Sequence, residues 1–221
     1  MSESDANVFI VDDDEGVRAS LTHLLESVNQ SARAYASAQE FLLDWDGREG
    51  GVLVVDIRMP GMSGLALQAK LQEMNAVLPI IFITGYGDVS LAVRAMQNGA
   101  FDFLSKPFEN QELLDSVQRA LAAEVRLNRL HHERQQVLDR MQSLTTRERQ
   151  ILEMMVEGKT NLVMASELSL SQRTVEVHRA SVMKKMESDS VATLVQCVLF
   201  ADNENHATMR SSIMRAAANW A

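Results

Sequence analysis

A single cysteine, Cys197, leaves this chain of 221 residues without the partner that an internal disulfide needs. A framework of cross-links is therefore excluded, and a reducing compartment is expected. Long apolar runs are missing too, since nothing approaches the roughly 18–20 consecutive apolar residues that span a bilayer. The opening MSESDANV lacks the basic-then-apolar pattern of a secretory signal. These absences predict a cytoplasmic protein with no membrane partner. Positive charge is scarce as well: the net charge is −9, which taken alone argues against nucleic acid. The deficit is uneven, however. Residues 1–120 hold 18 acidic and 8 basic side chains, a balance of −10, whereas residues 121–221 hold 12 and 13, a balance of +1. Such asymmetry predicts two modules with different partners, the second able to present a local basic face.

The first half alternates strand and helix patterns. Val8–Val11 is an apolar run, followed by a helical pattern over Glu15–Val28. Ala32–Tyr35 is a weak strand, and Ser37 with Glu40 forms a capping box ahead of a short helix. Val52–Val55 is a third strand, Gly64–Met74 a third helix, and Pro79–Thr84 a fourth strand. Val89–Asn98 reads as a helix closed by Gly99, Phe101–Ser105 as a fifth strand, and Gln111–Leu121 as the opening of a fifth helix. Strands that are apolar without alternation are buried on both faces, as in parallel sheets. Five such units predict a doubly wound α/β domain.

Neither Pro nor Gly occurs from Leu121 to Leu144, so the fifth helix can continue. Leu127, Leu130, Val137, Met141 and Leu144 follow a 3,4 spacing with Arg134 at a seam position, which fits a coiled coil or a solvated linker helix equally. His131 and His132 point apart on a helix and are not expected to share a metal. Residues 145–201 hold only helical patterns: a capping box at Thr145–Glu148, a helix ended by Gly158, then Asn161–Leu168, Gln172–Met186 and Val191–Ala201. The predicted division is 1–122, a helical linker over 123–143, an all-α domain over 144–201, and a weakly periodic tail over 202–221.

In a parallel sheet, chemistry gathers beyond the carboxyl ends of the strands. Here those ends carry Asp12-Asp13-Asp14-Glu15, Asp56, Thr84-Gly85 and Ser105-Lys106-Pro107. Singly, each has an ordinary explanation as a helix cap, a strand end or a turn. Jointly they place carboxylates, a hydroxyl and an ammonium on one rim. Clustered carboxylates repel unless a cation neutralises them, and hard oxygen donors suit Mg²⁺, which keeps waters and grips phosphate. Asp56 is the candidate nucleophile, since a carboxylate can attack phosphorus to give an acyl phosphate. Lys106 and the metal would neutralise the transferring oxygens, and Thr84 would donate a hydrogen bond to one of them.

With these motifs in this order, residues 6–122 resemble a response-regulator receiver domain, whose fold is flavodoxin-like (CheY-like) with sheet order 2-1-3-4-5. The resemblance implies that Asp56 accepts phosphate from a sensor histidine kinase. It further implies that Asp13 and Asp56 bind Mg²⁺ directly, Asp12 through water and Arg58 through its backbone carbonyl. Thr84 and Phe103 become the switch pair, and the Lys106–Pro107 bond is implied to be cis. Phe103 departs from many receivers in lacking a hydroxyl.

The second informative segment is LSLSQRTVEVHRASVMKKM, residues 168–186. Val175, Val182, Met183 and Met186 can face a core, leaving Arg173, Arg179, Lys184 and Lys185 against Glu176 as a local excess of +3. Two short helices joined by Ser169-Leu170-Ser171 make a helix-turn-helix. Residues 144–201 resemble the four-helix output domain of the LuxR/NarL/FixJ regulators, and the whole chain resembles a FixJ-type transcription regulator. By that likeness Glu176, Val177 and Ala180 face bases, while Thr174, His178, Arg179 and Lys184 contact the DNA backbone. The family's common lysine before the turn is replaced here by Leu162. The implied function is a phosphorylation-dependent regulator that dimerises when phosphorylated and binds promoter DNA. The pairing face would be Val89–Asn98, Phe101–Ser105 and Gln111–Leu121. One alternative gives the C-terminal helices a protein partner. Another, an aspartyl phosphatase of the haloacid-dehalogenase kind, needs an acid two residues after the nucleophile, where Arg58 stands. No enzymatic turnover is therefore expected.

Overall fold

The computed structural model describes residues 7–47, 49–85 and 89–202. The segment beyond Asp202 lies outside the described residues. The chain divides into two compact units between Arg129 and Leu130. Among the described residues, no helix is long and apolar enough to cross a membrane.

In the first unit, strands β1 (Asn7–Val11), β2 (Ala32–Tyr35), β3 (Gly51–Asp56), β4 (Ile80–Thr84) and β5 (Asp102–Ser105) alternate with helices. These are α1 (Glu15–Glu26), α2 (Ala38–Asp44), α3 (Gly64–Glu73), α4 (Val89–Gln97) and α5 (Asn110–Gln142). Every strand pair is parallel, and the order is β2-β1-β3-β4-β5, the doubly wound arrangement that the sequence predicts. The unbroken apolar runs have a direct physical reason, because successive residues of a strand point to opposite faces and both faces are covered. Phe9, Val11, Leu53, Val55 and Phe82 pack with Phe41, Leu67, Leu71 and Ala95 of α2, α3 and α4. Val8, Ile10, Val52, Val54, Ile81 and Ile83 pack with Leu21, Leu25, Leu113 and Val117 of α1 and α5.

Local chemistry sets the helix ends. The Asp14 carboxylate accepts from Gly16 N at 2.7 Å and Val17 N at 3.1 Å, capping α1. That helix stops two residues short of the predicted Val28, where Asn29 adopts a left-handed backbone with φ 58° and Val28 turns outward. The expected capping box at α2 is half formed. Ser37 Oγ accepts from Glu40 N, but the Glu40 carboxylate reaches Ala36 N at 2.8 Å and not the cap residue itself. The loop between Asp56 and α3 is closed by Gly64 N donating to Ile57 O at 3.0 Å. Gly64 is also where the chain presses hardest on the strand end, since a Cβ there would strike the Asp56 carbonyl oxygen and sit 3.0 Å from the Phe82 ring.

The second unit comprises the end of α5 with α6 (Thr146–Val156), α7 (Asn161–Leu168), α8 (Gln172–Lys185) and α9 (Val191–Asp202). α5 runs unbroken for 33 residues, as the lack of Pro and Gly allows. The 3,4-spaced seam that fits either a coiled coil or a linker divides between two cores. Leu127 packs in the first unit, whereas Val137, Met141 and Leu144 pack in the second beside Ile151, Leu152 and Val198. The charged seam residue has an internal use as well. Arg134 Nε donates to the Ala201 carbonyl at 3.0 Å, satisfying an orphan acceptor near the end of α9.

Gly64→Ala is expected to lower the unfolding free energy of the first unit by about 2 kcal/mol, because the new methyl has only backbone and a buried ring to displace. Urea denaturation followed by far-UV circular dichroism checks this.

Candidate functional site

Three strand ends deliver one charged cluster. Asp12 follows β1 directly, Asp56 is the last residue of β3, and Lys106 follows β5. The Lys106 ammonium lies 2.8 Å from Asp12 Oδ2 and 3.0 Å from Asp56 Oδ1. Both carboxylates are buried, Asp12 to 1% exposure and Asp56 to 6%. The second oxygen of each is held by the main chain: Asp14 N donates to Asp12 Oδ1 at 2.9 Å and Arg58 N to Asp56 Oδ2 at 2.6 Å. Arg18 adds a bond to the Asp12 carbonyl at 2.8 Å.

The electrostatics follow from this packing. Burial raises the Asp56 pKa and the Asp12 charge adds to the effect, against the lowering pull of Lys106 and the Arg58 amide. For Lys106, burial works downward, but the bonds to Asp12 and Asp56 and their charges outweigh it and raise its pKa. One ammonium between two carboxylates leaves a net negative nook with room in its chemistry for more positive charge.

Thr84 is buried at the end of β4, pairs in register with Ser105, and its carbonyl accepts from Lys106 N at 2.7 Å. Phe103 is half-buried against the core layer under α2–α4, and Lys106–Pro107 is a cis bond. Asp13 stands exposed beside the pocket, and the ion-pair cluster is formed by Asp12, Asp56 and Lys106. Among the described residues, no group of three or more His, Cys, Asp and Glu side chains is arranged to hold a metal ion. Two carboxylates plus the Arg58 main chain nevertheless fit the needs of Mg²⁺, which binds through one or two carboxylates and keeps waters. Two further contacts escape a reading of strand ends. Gln68, fully buried on α3, donates to the carbonyls of Ala95 and Asn98 at the end of α4. Asp102 gathers Ser116 Oγ and Arg119.

In the second unit, α7 ends on Ser169 with a left-handed backbone (φ 53°), and Leu170 N closes back on the Ala165 carbonyl at 2.9 Å. Ser171 then caps α8, accepting from Thr174 N at 3.1 Å. Val175, Val182 and Met186 are buried as predicted, and Met183 packs against the same core. Glu176, Val177, Ala180 and Lys184 are exposed, Val177 to 63%, while Thr174, His178 and Arg179 are half-buried. Thr174 Oγ1 is 2.8 Å from the Ser171 hydroxyl, and Arg179 lies 3.9 Å from Met164 Sδ. The basic excess on this helix is smaller than its sequence indicates. Lys185 binds the buried Glu148 at 2.7 Å and the Ser143 carbonyl at 3.3 Å, so it serves the interior. Glu148 also completes the capping box of α6 and accepts from Ser181 Oγ at 2.6 Å.

Residues 8–118 match the family of the response regulator receiver domain, and residues 142–198 match that of the bacterial regulatory proteins of the luxR family. Transcriptional regulatory protein FixJ of Azorhizobium caulinodans is 43% identical over 194 residues, which is 88% of this chain and 92% of that protein. Among solved structures, response regulator StyR superposes with a TM-score of 0.72 at 40% identity, covering 87% of this chain and 98% of StyR. Full-length FixJ from B. japonicum gives 0.55 at 38% identity, covering 89% and 97%. A receiver fold with its rim of acids and lysine, followed by a helix-turn-helix, defines a two-component regulatory protein. This chain belongs to the response regulators that join a receiver domain to a LuxR-type DNA-binding domain, and it is FixJ-like.

Two outcomes follow from the charges. The bonds from Lys185, Ser181 and Thr145 hold Glu148 down to about 2, from an ordinary 4.5. A depressed carboxylate stabilises the fold above its unfolded value, so this contribution is complete above pH 4.5 and disappears as pH falls towards 2. Glu148→Gln should cost the second unit about 2 kcal/mol at pH 7 and flatten its acid transition, as read by urea titrations between pH 3 and 7. Asp56 has the opposite sign: its raised pKa means that its charge opposes folding once pH exceeds that value. Asp56→Asn should therefore raise the unfolding midpoint of the first unit at pH 7 without divalent cation, with the gain shrinking as pH falls towards 3.8.

Proposed function

We propose that this chain is a phosphorylation-dependent DNA-binding transcription regulator, in which Asp56 takes a phosphoryl group from a sensor histidine kinase. The supporting observation is the single ammonium of Lys106 shared between the buried carboxylates of Asp12 and Asp56. An Asp56 oxygen attacks phosphorus, the bond to the kinase imidazole breaks, and an acyl phosphate results. Lys106 is within reach of the new phosphoryl oxygens because it already binds Asp56, and it offsets their charge. Mg²⁺, held by Asp13 and Asp56, by Asp12 through water and by the Arg58 carbonyl, would supply further positive charge to those oxygens. Thr84 would turn its hydroxyl to the phosphoryl group, and the ring of Phe103 would follow the space it vacates.

Pairing of two copies through α4, β5 and the start of α5 would carry the signal onward. α4 supports this with Val93 and Met96, large apolar side chains that are 50% and 38% exposed. A shift of a few kcal/mol between inactive and active arrangements suffices to change occupancy. In the output unit, 144–201, Glu176, Val177 and Ala180 occupy the outward face of α8 where base edges would meet them. Lys184, Thr174, His178 and Arg179 would hold the phosphate backbone, and two half-sites would multiply affinity and specificity.

The decisive experiment pairs phosphorylation with a gel shift. Asp56→Asn should fold, take up no phosphate from acetyl phosphate with Mg²⁺, and lose tight promoter binding; wild-type promoter activation by this variant would overturn the reading. Lys184→Ala should weaken binding to all sequences and reduce the slope of log affinity against log salt by about 1. Glu176→Ala should change the preferred sequence instead. A chain whose complex shows no salt dependence would assign its C-terminal helices to a protein partner.

A further inference from the structure

Helix α4 has a thin apolar footing. Among its described side chains only Ala95 is fully buried, and Leu91 packs part-buried against the same core. The neighbouring α3 buries Leu67 and Leu71, and between them it buries an amide, Gln68, to 1% exposure. Glutamine is rarely kept at such depth unless its polar atoms are used. Gln68 Nε2 donates to Ala95 O at 3.1 Å and to Asn98 O at 3.2 Å. Gln72, one turn further along the same face of α3, also donates to Asn98 O. Gln68 Oε1 is buried and finds no donor among the described residues.

These bonds are not needed to satisfy the end of α4. Ala95 O already accepts from Ala100 N at 3.0 Å, in a turn where Gly99 takes φ 81°, and Asn98 O has Gln72. An apolar residue at position 68 would leave both carbonyls paired and would remove a buried, unpaired acceptor, so the amide costs the fold stability. What the amide adds is direction. Apolar contact through Ala95 is non-directional, whereas two bonds to carbonyls three residues apart fix where the end of α4 sits. Val93 and Met96, the exposed apolar side chains of α4, flank Ala95.

We propose that Gln68, seconded by Gln72, is a positioning residue for the pairing face. It pins the end of α4 to α3, so that Val93 and Met96 stand where a second phosphorylated copy meets them, and it does so at the expense of the first unit's stability. Buried polar groups elsewhere secure a unique arrangement at similar expense. The inference rests on the pairing of two copies through α4 given above.

The test uses the full chain with Gln68→Met, which is similar in length and has no donor, and the double variant Q68M/Q72A, whose second change is at an exposed position. Hydrogen exchange without phosphate reads the pin itself: the amides of residues 98–100 should exchange several-fold faster, and those of α3 at the unmodified rate. Sedimentation in excess acetyl phosphate and Mg²⁺ reads pairing. The dimer should weaken by about fivefold in Gln68→Met, the worth of one net hydrogen bond, and further in the double variant. Phosphate uptake by mass spectrometry should be unchanged, and the urea midpoint of the first unit unchanged or raised. Unmodified exchange rates or dimer constants in both variants overturn the proposal. So does a Gln68→Met protein that fails to fold or loses its urea midpoint, since Gln68 is then an ordinary structural contact. An unmodified protein that takes up phosphate and stays monomeric overturns the pairing reading and this proposal together; one that dimerises while both variants match it overturns this proposal alone.

Discussion

Two buried carboxylates repel each other unless a cation or a shared proton relieves their charge, and in the first unit of this protein the Lys106 ammonium meets that constraint. Lys106 meets Asp12 across 94 positions of sequence and Asp56 across 50. Only a parallel sheet, which brings every strand to the same rim, can assemble such a group from three strand ends. The flanking features serve the arrangement: the loop from Asp56 to α3 is pulled tight by Gly64, and main-chain amides from Asp14 and Arg58 hold the outer carboxylate oxygens. The balance is deliberately incomplete in charge. One ammonium against two carboxylates leaves Asp56 disfavoured as an anion by burial, a condition that favours the approach of added positive charge.

The second unit applies the same economy differently. Glu148 is a buried anion satisfied from three directions, by the N-terminus of its own helix, by Ser181 and by Lys185. That network locks α6 against α8 and so orients the helix whose outer face carries Glu176, Val177, Ala180 and Lys184. It also removes one base from the surface. Arg179 is partly engaged with Met164, and the position before the turn is Leu162, exposed and apolar. On the proposed reading, the contact with DNA relies on few phosphate-gripping side chains and on the apolar and acidic surface of α8, which favours selectivity over general affinity for nucleic acid.

Much of this was legible residue by residue. The strands could be read because burial on both faces forces unbroken apolar runs, and β3, whose six residues are all buried, is the clearest case. The helix starts at Thr145 and Ser171 could be read because an oxygen acceptor must satisfy free amide groups. The helix ends and the reach of Glu40 could not, since they depend on competing partners a residue away. Lys185 shows a similar limit: helical periodicity gives its side chain an outward direction, and Glu148 on another helix draws its ammonium away from solvent. Gln68 on α3 gave no hint of its bonds to the end of α4, because an amide at an apolar spacing looks the same wherever it points.

The sequence by itself determined which residues stand at the strand ends, which helices form and which charges each half carries, because those properties arise from neighbours along the chain. The tertiary structure alone decided that Lys106 is shared by Asp12 and Asp56, that Asp13 stays outside their ion pair, and that the apolar seam of α5 is divided between two cores. Each of these is settled by groups far apart in sequence competing for one partner or one surface, and only the folded chain brings them within bonding distance.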